Sequence, residues 1–350
     1  MLVSVIGIIR SLLRPVLLAF FYLLFLSSCQ RDEGPPVWYY SGSTMGTTWS
    51  LKVLAPSKNG DAKRELQAKL ELALAAVSQK MSTYIPDSEL SRFNQAPTMQ
   101  WIEVSKDLCY MFTVSKQVSD DSDGAFDITV GPLVNAWGFG PGPKEQPPTA
   151  GDIAKLKEKV GYKYLEFDCG QLRARKMKDL YVDLSAVAKG YATDVLAKVL
   201  EDENLHDYMV EIGGELHLSG HNEHGKPWRI GIEKPELVQG ETAQIIELSD
   251  VGLATSGDYR NYYEYHGKKY SHTIDPFTGY PVTHNLASIT VVAKNGAYAD
   301  AYATAFDVLG PIKGKALAEK LGMDAYFIVR TESGFSIDNT AGFKHYMVNE

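Results

Sequence analysis

The chain has 350 residues, of which 22% are charged and 45% hydrophobic, and its formal net charge is −8 at pH 7. This composition is ordinary for a soluble globular protein, and the length suits one large domain or two closely packed ones. The mild acidity, without a basic block, argues against nucleic acid as the main partner.

The first residues predict a secretory signal. Two arginines precede an apolar run over residues 16–26. The run is too short to span a bilayer, since a spanning helix needs about 20 residues. It ends in Leu26-Ser27-Ser28-Cys29, which is similar to the lipobox of bacterial lipoproteins. By that resemblance residues 1–28 are removed and Cys29 carries a lipid; the alternative is an ordinary signal peptide with an incidental cysteine.

The predicted lipid anchor places the protein on the periplasmic side of a membrane. We expect the inner membrane, although Gln30 after the cysteine leaves the outer membrane open. Residues 29–36 are charged and contain proline, so they predict a tether. Residues 37–350 then form one domain. Its two cysteines, Cys109 and Cys169, form either one disulfide in an oxidising compartment or two buried free thiols.

Hydrophobic periodicity predicts the elements of the first half. A turn over residues 41–47, rich in glycine and hydroxyl side chains, separates two strands and leaves backbone donors for a ligand. The polar connection over residues 144–151 is the best internal boundary, but it is too short to prove separate domains. The predicted elements are strands within 37–54, helices over 61–81, 106–119 and 149–160, and strands over 162–167, 172–176 and 180–184.

The second half is predicted to be rich in strands. After a helix that begins near Val187, the predicted elements are strands over 208–212, 215–219, 228–233 and 243–248, a hairpin over 259–274, a strand over 286–293, helices over 297–309 and 313–321, and two closing strands. Many hairpins and few helices predict an α+β fold with mixed, mainly antiparallel sheets and flanking helices, and not a parallel doubly wound sheet.

Residues 182–191 predict a strand end, a turn and a helix start, and two residues there break local rules. Lys189 is a cation early in a helix, and Gly190 costs about 1 kcal/mol relative to alanine. Both make sense if a phosphate binds at the helix start, where anions are favoured. A surface lysine and a packing glycine are the equally acceptable alternative.

Asp300 and Thr304 lie four residues apart on one predicted helix and share a face. A carboxylate and a hydroxyl are hard oxygen donors that suit Mg²⁺. A first-turn acid beside a packed hydroxyl is the alternative. His272 lies at a strand end beside a turn and is a candidate general base, although a lone histidine is more often structural.

Three sequence patterns are absent from the chain. It has no P-loop, no Gly-x-Gly-x-x-Gly after a strand and no Gly-x-Ser-x-Gly elbow. What remains is a lysine at a helix start, hard ligands for Mg²⁺ and loops of glycine and aromatic residues. This set favours a phosphorylated flavin or nucleotide as substrate over a sugar or a peptide.

Taken together, the motifs resemble the ApbE-type FAD:protein FMN transferases, a family of periplasmic flavin transferase lipoproteins. Seven motifs follow in the family's order, which makes the resemblance specific. They are Thr44-Met45-Gly46-Thr47; Met81-Ser82-Thr83-Tyr84 with residues 88–94; Gly124-Ala125-Phe126-Asp127 with residues 131–134; residues 183–191; Glu211-Ile212-Gly213-Gly214-Glu215; His272-Thr273-Ile274-Asp275-Pro276 with Thr278-Gly279; and Ala299-Asp300-Ala301 with Thr304-Ala305.

The resemblance implies an enzyme that cleaves the pyrophosphate of FAD in the presence of Mg²⁺. It would release AMP and join FMN to a threonine of an acceptor, such as a subunit of a sodium-pumping NADH:quinone reductase or a related membrane electron-transfer complex. Carried over by motif, FAD would contact Met45, Tyr84, Ala125, Phe126, Asp127, Asp183, Lys189 and Ile274; Mg²⁺ would be held by Asp300, Thr304 and the Ala186 carbonyl; Lys189 and His272 would be catalytic. A Mg²⁺-dependent FAD pyrophosphatase and a flavin-binding lipoprotein are the alternatives.

Overall fold

The structure is a computed structural model that describes residues 35–55, 59–142, 146–235, 242–257 and 262–348. The predicted signal and the lipid attachment at Cys29 lie outside these residues, so both stay predictions. Within the described ranges, none of the helices combines the length and the apolar character that crossing a membrane requires.

The described residues contain fifteen strands and seven α-helices. The strands are β1 (Val37–Thr44), β2 (Thr47–Leu54), β3 (Ile102–Glu103), β4 (Leu165–Asp168), β5 (Arg173–Lys176), β6 (Tyr208–Ile212), β7 (Glu215–Ser219), β8 (Trp228–Glu233), β9 (Thr242–Leu248), β10 (Val251–Gly257), β11 (Tyr262–Tyr265), β12 (Lys268–Ser271), β13 (Leu286–Ala293), β14 (Asp324–Thr331) and β15 (Gly334–Asn339). The helices are α1 (Gly60–Met81), α2 (Glu89–Gln95), α3 (Lys106–Asp121), α4 (Gly131–Ala136), α5 (Ala150–Lys157), α6 (Ala188–Asp202) and α7 (Gly296–Leu321).

An eight-stranded sheet forms the centre of the fold. Its strand order is β1-β2-β6-β7-β10-β13-β14-β15, and each neighbouring pair is antiparallel. The remaining strands form smaller, separate sheets with the strand orders β3-β5-β4, β8-β9 and β11-β12. The α+β class with mainly antiparallel sheets is therefore confirmed.

Both faces of the central sheet are covered. In β14, Ala325 and Phe327 join the core beneath helices α1, α3, α6 and α7. The alternate residues Tyr326 and Ile328 join a second core beneath the β8-β9 hairpin and the C-terminal segment. Because successive side chains of a strand point to opposite faces, a strand covered on both sides is apolar throughout.

The helices follow the hydrophobic pattern closely. The buried residues of α1 recur at helical spacing, and the side chain of Asn59 accepts the Asp61 N–H at its start. Thr149 and Asp152 form a capping box on α5. In α7 the helical path is interrupted at Gly310, which has φ +73° and precedes Pro311.

Cys109 on α3 and Cys169 after β4 form a disulfide, which decides between the two alternatives left by the sequence. The bond ties the small β3-β5-β4 sheet to the helical layer. The bonded cysteines are 60 residues apart, a separation for which chain entropy gives about 4 kcal/mol of stabilisation.

The strand predicted over residues 180–184 is wrong. The Val182 N–H donates to Asn94 Oδ1 at 2.8 Å, and the Asn94 Nδ2–H donates back to the Val182 carbonyl at 2.8 Å. The Asp183 N–H donates to the Ile128 carbonyl at 2.7 Å. The segment is extended, but a side-chain amide and a loop satisfy its backbone instead of a neighbouring strand.

Candidate active site

Helices α6 and α7 touch through their backbones at two glycines. A Cβ built on Gly190 would lie 2.1 Å from the Gly296 carbonyl oxygen and 2.7 Å from Asp300 Cβ. A Cβ on Gly296 would lie 2.3 Å from the Gly190 carbonyl oxygen. Gly190 is therefore a packing glycine, which is one of the two alternatives left by the sequence, because the backbone of Gly296 fills the space beside it.

The contact between the helices redirects one backbone hydrogen bond. The Gly190 N–H, which a regular helix would donate to the Ala186 carbonyl, donates to Asp300 Oδ2 at 2.9 Å. Val187, the residue before α6, is non-helical at φ −154° and makes no side-chain cap. Within the described ranges, no N–H donates to the Ala186 carbonyl. The Ala186 carbonyl therefore lacks the hydrogen bond that a regular helix would give it.

Lys189 lies between two buried carboxylates. Its Nζ is 2.5 Å from Glu215 Oε1, and Asp300 adds a second negative charge nearby. Burial alone would lower the pKa of Lys189, but the charges of Asp300 and Glu215 outweigh it and raise this pKa, so the ammonium persists at neutral pH.

The two carboxylates compete for this one ammonium. Burial raises the pKa of Glu215 to about 7, although the Lys189 charge opposes the shift. Burial also raises the pKa of Asp300, against the effects of Lys189 and of the Gly190 N–H. Glu215 Oε2 is buried and has no hydrogen-bond partner among the described residues. Two carboxyl groups thus share one ammonium, and a bound cation would favour the charged form of both.

The start of α6 offers few free donors to an anion. The Ala188 N–H donates to the Leu184 carbonyl at 2.8 Å, and the Tyr191 N–H donates to the Val187 carbonyl at 3.1 Å. With the Gly190 N–H also engaged, recognition of a phosphate would depend on the ammonium of Lys189, which is half-buried and can reach a ligand.

The β1-β2 hairpin brings Met45 to the same place. Its turn contains Met45 at φ +50° and Gly46 at φ +75°, so it is a two-residue turn and not the longer turn predicted from the sequence. A positive φ is uncommon for methionine and is frequent at ligand sites. Residues 43–48 line a cavity of about 610 Å³. A Cβ on Gly213 would lie 2.9 Å from Thr47 and 3.4 Å from Lys189 Cδ, so the hairpin adjoins the lysine.

Tyr84 and Asp183 lie together on another side of the site. Asp183 Oδ1 accepts the N–H and the hydroxyl of Ser185, at 2.8 and 2.6 Å. Burial and the Asp183 charge raise the pKa of the Tyr84 hydroxyl, which also contacts the Phe139 carbonyl at 3.4 Å. The Tyr84 side chain is 61% exposed. An exposed ring beside a carboxylate suits a flat ligand with polar edges.

Three residues that were predicted to contact the flavin are buried in the structure. Ala125 and Phe126 are buried in the helical core. Asp127 accepts the N–H and hydroxyl of Thr129 on Oδ1 and the Tyr162 N–H on Oδ2, and burial raises its pKa. Their side chains shape the loop behind Asp183 and do not present an open face to a ligand.

His272 and Ile274 lie in the segment that follows β12. The His272 ring lies edge-on to Phe139, with ring centroids 6.2 Å apart. Ile274 is buried in a small core with Leu133, Trp137 and Ile153. Phe139 therefore links His272 to Tyr84, because the tyrosine hydroxyl reaches the Phe139 carbonyl.

Three further residues matter and were given no role from the sequence. Glu215 holds Lys189, Asn94 holds the segment before Asp183, and Asp307 accepts the hydroxyl next to His272. The available signal for Glu215 was a carboxylate directly after the Gly213-Gly214 turn, at the start of a predicted strand. Asp307 lies seven residues after Asp300 and so on the same helix face.

Comparison with known proteins identifies the family of the chain. The family model described as the ApbE family matches residues 45–327. The chain is 43% identical over 328 residues to "FAD:protein FMN transferase" of Haemophilus influenzae, covering 92% of this chain and 94% of that protein. It is 39% identical over 339 residues to the protein of the same name from Escherichia coli K12, covering 93% and 95%.

Solved structures of flavin transferases have the same fold. The flavinyl transferase ApbE of Pseudomonas stutzeri, in its apo form, superposes with a TM-score of 0.82 at 40% identity, covering 91% of this chain and 98% of that one. Flavin Transferase ApbE from Vibrio cholerae gives 0.80 at 39% identity, covering 89% and 100%. The fold and the site define a flavin-transferase class of protein. The chain belongs to the ApbE family.

The close contact between α6 and α7 predicts that a methyl group added at Gly190 destabilises the protein. Gly190→Ala is expected to lower the free energy of unfolding by about 2 kcal/mol or more, because its Cβ would overlap the Gly296 carbonyl. Urea unfolding measures this change. Gly60→Ala is the control, since its nearest atom is 3.7 Å away, and we expect a change of less than about 0.5 kcal/mol. Equal stability of the two variants would contradict the proposed packing role.

Proposed function

We propose that this protein transfers FMN from FAD to a threonine hydroxyl of an acceptor protein and releases AMP. Membership of the ApbE family supports a flavin transferase. The observation that carries the proposal is the position of Lys189 between Glu215 and Asp300, at a helix start where the Ala186 carbonyl lacks the Gly190 N–H. These groups suit a pyrophosphate together with a cation.

The site fits Mg²⁺ by the chemistry of its donors. Asp300 uses only Oδ2 for the Gly190 N–H, Thr304 lies one turn further along α7, and the Ala186 carbonyl is not bonded by the Gly190 N–H. All three are hard oxygen ligands. The described residues contain no group of three or more His, Cys, Asp or Glu that could hold a metal, and this set needs only one carboxylate. A bound Mg²⁺ would neutralise charge on the pyrophosphate oxygens.

The protein's own residues would then carry out the remaining steps. Lys189 would bind a pyrophosphate oxygen and stabilise the charge that grows as AMP leaves. His272 would take the proton of the acceptor threonine while that oxygen bonds to the phosphorus on the riboflavin side. The bond from this phosphorus to the bridging oxygen breaks, and its electron pair leaves with AMP. Tyr84 would cover the flavin and restrict water, which would otherwise compete as acceptor.

We propose membrane redox subunits as the acceptors, including those of sodium-pumping NADH:quinone reductases. A lipid on Cys29 would hold the enzyme on the periplasmic side, on the inner membrane in preference to the outer one. The Leu26-Ser27-Ser28-Cys29 sequence supports the lipid, and the Cys109–Cys169 disulfide supports an oxidising compartment.

Covalent transfer separates this function from its alternatives. Incubation with FAD, Mg²⁺ and a purified acceptor subunit is expected to add one FMN, less water, to an acceptor threonine, as measured by mass spectrometry. Chelation of Mg²⁺ with EDTA, or the Asp300→Asn substitution, should reduce the adduct by about a hundredfold or more, because each removes charge stabilisation from the pyrophosphate. Free FMN without an adduct would indicate hydrolysis, and intact bound FAD would indicate a flavin-binding protein.

His272→Ala tests the proton acceptor. FMN transfer is expected to fall by about 10² to 10⁴, the usual contribution of a general base, while FAD affinity changes little because the flavin and pyrophosphate contacts remain. Rates of adduct formation and equilibrium FAD titration measure the two effects. His345→Ala, on the C-terminal 3₁₀ helix Gly342–Tyr346, is the matched control. Transfer at the normal rate in His272→Ala would exclude this role.

The lipid attachment has a direct test. Mass spectrometry of protein extracted from membranes is expected to show an N-terminal peptide that begins at Cys29 and carries a lipid. The Cys29→Ala variant should lack this species, because it lacks the thiol, whereas Ser28→Ala keeps the thiol and serves as control. An N-terminus elsewhere, or an unmodified Cys29, would rule out the anchor.

A further inference from the structure

Asp307 is a buried carboxylate that the mechanism above does not use. It lies on α7, the helix that carries Asp300 and Thr304, and its side chain is 1% exposed. Burial raises its pKa, whereas a hydrogen bond from Thr273 and the nearby imidazoles of His284 and His272 act against the rise. A buried carboxylate is costly to fold and is seldom retained without a purpose.

The contacts of Asp307 join three segments. Its Oδ2 accepts the Thr273 hydroxyl at 2.9 Å and the Ser256 hydroxyl at 3.0 Å. Ser256 belongs to β10, and Thr273 directly follows His272. Hydrogen bonds to a charged acceptor are stronger and more directional than neutral ones. One carboxylate thus ties the His272 segment to the sheet and to α7.

The backbone of Asp307 is held as well. Its carbonyl would meet the nitrogen of Pro311 in a regular helix, but proline has no N–H to donate. His284 Nε2 lies 2.6 Å from this carbonyl, and the Leu286 N–H lies 3.3 Å from His284 Nδ1. These partners assign the proton of His284 to Nε2. Asp307 is therefore fixed at both its backbone and its side chain.

We propose that Asp307 is a positioning residue which, through the Thr273 hydroxyl, holds His272 at a set distance from Asp300 and Thr304. The inference rests on the proposed role of His272 in FMN transfer. A misplacement of about 1 Å at a reacting group can cost about a hundredfold in rate. The hydrogen bond to Thr273 links α7 directly to the residue next to His272.

The test removes this link without changing the shape of the side chain. Thr273→Val is expected to slow FMN transfer to the acceptor subunit by about tenfold or more, with the KM for FAD within about twofold of the original. Thr273→Ser restores the hydroxyl and should recover most of the lost rate. Thr331→Val, an exposed threonine at the end of β14, is the control.

A double-mutant cycle with His272→Ala distinguishes the positioning of His272 from a general contribution to the stability of the fold. If Thr273 and Asp307 act through His272, Thr273→Val should cost less than about twofold in the His272→Ala background. An equal loss in both backgrounds, or no loss in the original protein, overturns the proposal. If Thr273→Val does not fold, Asp307→Asn takes its place, with a several-fold loss expected in the original background alone.

The proposed function and this inference fail in different ways. If the unmodified protein forms no FMN adduct, the proposed function fails. If it forms the adduct, and Thr273→Val with Asp307→Asn form it at the same rate, only the role of Asp307 is wrong.

Discussion

The site depends on a reciprocal contact between the starts of two helices. Asp300 of α7 accepts the Gly190 N–H near the start of α6. Asp194 of α6 accepts the Gly296 and Ala297 N–H groups at the start of α7, at 2.7 and 3.0 Å. Each helix thus satisfies donors of the other with a carboxylate, and the two glycines permit the approach. This exchange leaves the Ala186 carbonyl without the N–H that Gly190 would donate in a regular helix.

The same contact concentrates negative charge where the fold gains little from it. Asp300 and Glu215 are both buried and share the charge of one lysine. Replacing such a cluster with apolar side chains would often be neutral or stabilising, so its presence indicates binding or catalysis. A bound cation would relieve the imbalance, and its binding would stabilise the folded protein by mass action.

Much of the fold could be predicted because it follows local periodicity. Helix α1 and strands β6 and β7 have the predicted bounds to within one residue, since burial of one face dictates their pattern. Residues 180–184 could not be predicted, because their backbone partner is the side chain of Asn94, 88 residues from Val182. Strand β10 lacked the apolar alternation expected of a strand, since Gly252, Thr255, Ser256 and Gly257 occupy more than half of it.

In the candidate site, too, some residues could be interpreted from the sequence and others could not. Lys189, Asp300 and Thr304 have residue types and spacing that indicate chemistry, but the residues alone left structural alternatives open, and the family resemblance selected them. The role of Gly190 was ambiguous in the sequence, because the backbone that requires a glycine at this position is that of Gly296, far along the chain. Glu215 and Asp307 are buried carboxylates whose meaning depends on the lysine and the hydroxyl that they meet only in the folded protein. Spacing predicts which groups share a helix face, and it does not predict what lies opposite them.

One helix therefore sets the geometry of both halves of the site. Asp300 on α7 accepts a hydrogen bond from the start of α6, and Asp307, two turns after Asp300, accepts one from the residue next to His272. The helical path breaks three residues later at Gly310, and His284 takes the place of the missing proline N–H at the Asp307 carbonyl. Because a helix is rigid over two turns, the group that would accept the proton and the groups that would hold the cation keep a fixed separation. The β11-β12 hairpin before His272 can then differ in length or sequence without changing that separation, provided that the Thr273 hydroxyl still reaches Asp307.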